Sequence, residues 1–206
     1  THPNFAYSDR ALSTSLESSV TDKLTDFGYK SSLNKISLGT RYEQFEDTFF
    51  SPRLSISDES LDTTSTASAA YKKQQGSYFD TTFDYGLTFD KRNSAYQPSS
   101  GFYSSWFQQL PIISENQTIV NGYTITGYKE IVDDMIVSSG IYSRAVNSLS
   151  NDDVRVSKRI FAPSSRLRGF ESGKVGPVDG TDHIGGNYVV TINTSSTVPY
   201  ILQTQE

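Results

Sequence analysis

The residues able to do chemistry are few, and the most constrained of them lie together late in the chain. Arg166-Leu167-Arg168-Gly169-Phe170-Glu171-Ser172-Gly173-Lys174-Val175-Gly176-Pro177 is followed by Asp182-His183-Ile184-Gly185-Gly186-Asn187. Two arginines, an aromatic and five glycines share a stretch too irregular for a strand or a helix. Glycine allows left-handed backbone and close approach by another chain, and Pro177 fixes a turn beside Gly176. A guanidinium presents five donors in a rigid fork suited to carboxylates and carbonyls. The chemistry that fits this pattern is docking, with Arg168 as an anchor inside a cavity; flanking Gly169 and Phe170 favour this over the alternative, a surface arginine in a glycine-rich loop.

Catalysis and cofactor binding find little support. The two histidines, His2 and His183, have no metal-ligand spacing, and the chain contains no cysteine. His183 beside glycines reads as a hydrogen-bonded loop residue. Gly169 to Lys174 imitates a phosphate loop, but with three intervening residues instead of four and with Val175 where Ser or Thr would hold magnesium. Asp133-Asp134 and Asp152-Asp153 read as solvated turns rather than calcium ligands, and Lys158-Arg159 as solvated loop charge. No enzyme activity, metal or cofactor is expected. A net charge of −5 with no basic block argues against nucleic acid.

The elements that position the glycine-rich segment are strands. Only 35% of the 206 residues are hydrophobic and mean hydropathy is −0.46, yet 13% are aromatic, too many for a disordered chain. Phe83, Tyr85, Leu87 and Phe89 alternate with Asp84, Gly86, Thr88 and Asp90, the period of a strand with one oily face. Ile36-Leu38-Thr40-Tyr42 and Tyr188-Val190-Ile192 repeat it, with weaker versions at 11–18, 53–59, 102–109, 118–128 and 135–145. About eight strands are expected in an antiparallel meander, with residues 58–77 as a long loop. Two architectures fit: a soluble sandwich with the apolar face inside, or an outer-membrane barrel with that face toward lipid. Aromatics at strand ends (Phe49, Phe50, Tyr78, Phe79, Phe102, Tyr103) favour the barrel, as an interfacial girdle.

The glycine-rich motif resembles the sixth extracellular loop of the BamA family of outer-membrane barrel-assembly proteins. That loop carries Arg-Gly-aromatic, then Val/Ile-Gly-Pro, then Gly-Gly-Asn; here these are Arg168-Gly169-Phe170, Val175-Gly176-Pro177 and Gly185-Gly186-Asn187. Upstream, Asp90-Lys91-Arg92-Asn93 followed by Tyr96-Gln97-Pro98-Ser99-Ser100-Gly101 is similar to a strand-end segment of the same family, and Pro111 and Pro199 sit where family strands end. The likeness runs over essentially all of residues 1–206.

It implies an all-β, antiparallel transmembrane barrel of sixteen strands, of which this chain holds about eight central ones, with a loop-six-like segment at about 150–187. It further implies that the chain is an internal piece lacking the periplasmic POTRA domains and the first and last strands. The implied function is folding and inserting β-barrel proteins into the bacterial outer membrane. Unfolded barrel clients, accessory outer-membrane lipoproteins and the lipid bilayer would be its partners. A related translocation barrel, of the two-partner-secretion or TamA type, shares the motif, and a soluble glycan-binding sandwich is the rival from another class. In the family the loop arginine pairs with an acid on the strand after Gly-Gly-Asn. Ser195 holds that position here, so a carboxylate on a following strand is expected to be the partner of Arg168.

Overall fold

A computed structural model describes residues 10–23 and 28–197; His2, Pro199 and residues 202–206 lie outside the described residues. Its main body is one antiparallel sheet of eight strands: β1 (Ala11–Lys23), β2 (Tyr29–Phe45), β3 (Thr48–Thr63), β4 (Gly76–Asp90), β5 (Ser100–Ser114), β6 (Thr118–Val132), β7 (Met135–Ser148) and β10 (Tyr188–Thr197). They pair in chain order, β1 to β7 and then β10. Between β7 and β10 lie a single 3-10 turn (Val156–Lys158) and a hairpin, β8 (Val178–Asp179) with β9 (Asp182–His183). A five-residue helix, α1 (Ala69–Lys73), interrupts the β3–β4 connection.

Register decides which face is which. Ser13, Gly39, Arg53, Asp84, Gln109, Val120 and Val146 stand opposite one another across seven strands, and therefore share a face. This inner face buries polar groups: Ser37, Ser55, Thr82, Asp84 and Thr88 are all buried. Ser55 bridges the Ser37 hydroxyl at 3.0 Å and the Asp84 carboxylate at 3.4 Å. The other face does the reverse. Leu16 is 82% exposed and Ile192 72%, and Ile36, Leu38, Leu54, Ile56, Leu87, Ile141 and Val190 are exposed beside them. A water-soluble sandwich would hide these residues and expose the serines and aspartates. A wall with lipid outside and a wet lumen inside requires the arrangement seen.

The strand-end aromatics split accordingly. Within each adjacent pair, Phe50, Phe79 and Phe102 point outward while Phe49, Tyr78 and Tyr103 point inward, where Arg41 lies over Phe49, Arg155 over Tyr78 and Arg92 over Tyr103. Only half of the expected girdle therefore faces lipid, because consecutive strand residues point to opposite faces.

Turn chemistry is written locally at one rim. Asp47 and Asp134 have positive φ (58° and 62°), and each donates its N–H to a glutamate four residues earlier, Glu43 at 2.8 Å and Glu130 at 3.0 Å. The third connection there, β4–β5, is pinned by Asn93, whose side-chain oxygen accepts from the N–H groups of Ser99 and Ser100, both at 3.1 Å. Gly101 completes it with φ +89°; a Cβ there would fall 2.0 Å from the Lys91 carbonyl oxygen. At the opposite rim the connection expected at 58–77 is shorter. Strand β3 continues to Thr63 and β4 begins at Gly76. The extension escapes a hydropathy reading because its outward residues, Asp58, Ser60 and Asp62, are polar while Glu59 and Leu61 point inward.

Candidate functional site

The long β7–β10 connection folds back against the inner face and fastens there in three places. Its first limb, residues 153–160, lies across the inner wall from β3 to β7. The Arg155 guanidinium, 2% exposed, forks between Asp80 of β4 and Glu59 of β3, 3.5 Å away, and stacks 4.4 Å from the centre of the Tyr78 ring. Lys158 reaches the same Asp80 oxygen at 2.9 Å, while Ser114 donates to the other Asp80 oxygen at 2.5 Å. Ser157 and Ser31 donate to the two Glu59 oxygens at 3.1 and 3.3 Å. Two cations and two carboxylates thus form a neutral knot, the condition under which buried charge is tolerated. Burial pushes the Lys158 ammonium below its ordinary pKa and neighbouring Arg155 adds to this, with Asp80 opposing.

The second fastening joins the loop to α1. The Val156 N–H donates to the Gln74 side-chain oxygen at 2.6 Å, and Lys73 pairs with Asp153 at 3.3 Å. Helix α1 lacks a side-chain cap of its own. Its first N–H groups are taken instead by the β8–β9 hairpin: Ser68 donates to Asp182 at 3.1 Å and Ala70 to Asp179 at 2.8 Å. Ile184 and Val156 complete a small core with Leu61, Ala67 and Tyr71, whose ring stacks on Tyr29 at 4.2 Å. Val154 and Ile160 form a second with Val120 and Val146, the latter fully buried.

The third fastening carries the motif. Asn193 of β10 donates to the Arg166 carbonyl at 2.7 Å, and the Arg166 guanidinium lies 4.8 Å from the Tyr142 ring centre on β7. Arg168 sits beside them on an open cavity of about 420 Å³ shared with Ser165, Asn193 and Ser195. Ser195 falls on the same inward face as Asn193, and its hydroxyl meets Ser138 at 2.8 Å. Among the described residues Arg168 has no ion pair, and it is exposed, as are Gly169 and Phe170. Gly176 and Pro177 lead into the β8–β9 hairpin. Gly185 (φ +71°) and Gly186 turn the chain toward β10, with Gly186 bridging Ile160 and the Asn187 carbonyl accepting from Val146 at 2.8 Å.

Residues 1–205 match the model of the Omp85 superfamily domain. The chain belongs to the Omp85 superfamily. Among solved structures, the crystal structure of BamA from Haemophilus ducreyi lacking POTRA domains 1–3 superposes with a TM-score of 0.85 at 17% identity. The alignment covers 100% of this chain and 45% of that one, so the chain spans less than half the length of that relative. No curated protein matched the sequence. The architecture is that of a BamA barrel wall, and among the described residues β1 and β10 are the edges of its sheet.

Within this Omp85 wall, sequence reasoning overlooked Arg155. The deeply buried guanidinium is that of Arg155, and Lys158, expected to be solvated, belongs to its knot. Their partners Glu59 and Asp80 are 96 and 75 residues from Arg155, so nothing local marks the pairing. The usable signal was an arginine between two valines, Val154-Arg155-Val156, where the flanking apolar residues forecast burial. His183 lies in the β8–β9 hairpin, with its Nδ1 buried and without a hydrogen-bond partner among the described residues.

Proposed function

We propose that this chain forms the central wall and inward-folded loop of an outer-membrane protein that folds and inserts other β-barrel proteins. The observation that carries the reading is an exposed apolar outer face backed by a polar inner face, onto which a motif-bearing loop is folded. The protein would reside in the bacterial outer membrane, with unfolded barrel clients, accessory lipoproteins and the bilayer as partners. No bond is made or broken. A weak seam elsewhere in the barrel opens and its free strand edge templates an incoming client strand, as in β-strand addition. Strands β1 to β7 and β10 supply the fixed part of the wall. Arg168, Gly169 and Phe170 latch the loop, with the Gly176-Pro177 and Gly185-Gly186-Asn187 turns shaping it. The charged partner of Arg168 lies on a strand following β10, with Ser195 beside it.

The test reconstitutes the full-length protein in phospholipid vesicles and follows folding of an unfolded porin by its heat-modifiable gel mobility. Faster porin folding than in protein-free vesicles is expected, with Arg168→Ala slower than wild type. Porin folding at the protein-free rate would sink the reading, and transport of an unfolded passenger across the vesicle wall would move the protein to the translocation branch.

A further inference from the structure

The loop's outer fastenings lie far apart in the sheet. Its first limb grips β3 and β4 through Arg155, and its far limb grips β7 and β10 through Arg166. Strands β5 and β6 separate the two grips, and between them Val154 and Ile160 pack on Val120 of β6 and Val146 of β7. A loop attached only at its arginine motif would leave the first limb solvated. Here that limb is buried at Val154, Arg155, Val156 and Ile160.

We propose that Arg155 anchors one end of a cross-tie, in which the loop sets the spacing between the β3–β4 and β7–β10 parts of the wall and so positions the Arg168 motif. Three observations carry this. The Arg155 fork engages two neighbouring strands at once, which a single ammonium cannot reproduce. The charges balance within the knot, so it closes without a further ion. Backbone contacts seat the same limb independently, with Asn116 donating to the Asp153 carbonyl at 3.1 Å and Gln74 to the Val154 carbonyl at 3.4 Å. Only the insertion readout below rests on the function proposed above.

The test uses the full-length protein in vesicles, with two cysteine pairs probed by a short bis-maleimide. Glu115→Cys with Asp152→Cys, which line one cavity beside Arg155, reports the first limb, and Ser165→Cys with Ser195→Cys reports the far limb. Arg155→Met is expected to lower crosslinking of the first pair about tenfold, because an uncompensated carboxylate is left in the wall, and of the second pair about threefold, because the untied loop no longer places the Arg168 motif; an unchanged second pair would overturn the cross-tie. Arg155→Lys should fall between Met and wild type, and decides the matter if Arg155→Met does not fold. Crosslinking the first pair in Arg155→Lys should restore porin insertion to the wild-type rate. First-pair yields at wild-type level in both variants would overturn the proposal, as would lost crosslinking with no rescue by the lock. If wild-type protein inserts no porin, the proposed function fails while the crosslinking result still judges the cross-tie.

Discussion

Replacing Leu54 with arginine separates a lipid-facing wall from a water-facing one by the size of its effect. Leu54 is 43% exposed on the outer face, opposite Leu38 and Phe83, and lies near the middle of β3. An arginine on the lipid face of a barrel costs about 2–4 kcal/mol near the bilayer midplane. At about 1.4 kcal/mol per factor of ten, that shifts the folding equilibrium by roughly 1.5 to 3 powers of ten. On a water-exposed surface the same change would fall within about 0.5 kcal/mol. The neighbouring Arg53 is the internal control, since it already points inward between Gly39 and Asp84. Arg53→Leu should therefore shift stability by no more than about 0.5 kcal/mol. Guanidinium unfolding of the full-length protein from vesicles, followed by tryptophan fluorescence, measures both. An unfolding midpoint for Leu54→Arg equal to wild type would refute the outward assignment of this face.

Three further outcomes follow from the loops. Gly101→Ala should destabilise by on the order of 3 kcal/mol, because its φ of +89° disfavours a side chain and the new methyl would strike the Lys91 carbonyl; a melting temperature unchanged from wild type would contradict this. Asp182→Ala removes the acceptor for the Ser68 N–H and should loosen α1 by about 1–3 kcal/mol, read as faster hydrogen exchange across residues 68–73. Tyr71 supplies a pH dependence. Burial, with the neighbouring Tyr29, raises its phenol above the ordinary value, so the folded state holds a proton that the unfolded chain releases near pH 10. Its contribution is complete below about pH 10 and is lost as pH rises further; alkaline unfolding should be steeper in wild type than in Tyr71→Phe, and parallel curves would exclude Tyr71 as the source.

Much of the architecture was legible in the sequence because its cause is local. Alternation along Phe83 to Asp90 makes a strand wherever the chain goes. Asp47 and Asp134, each four residues after a glutamate, close hairpin turns by donating the backbone N–H to that glutamate's side chain. The end of β3 was hidden because polar residues there point outward, so hydropathy and strand length part company. Helix α1 was hidden for a different reason: its cap comes from Asp179 and Asp182, more than a hundred residues downstream.

The sequence by itself determined that this chain makes strands with one oily face, joined by tight turns at one rim and a glycine-rich loop at the other. It could not determine which face is inside, since alternation reads the same in a sandwich and a barrel. Tertiary pairing decided that, by aligning Ser13 through Val146 across seven strands and leaving Leu16, Ile56 and Ile192 on the outside. Tertiary structure also chose the buried arginine. A motif fixes the backbone around Arg168, but burial of a guanidinium needs carboxylates, and folding brings Glu59 and Asp80 to Arg155.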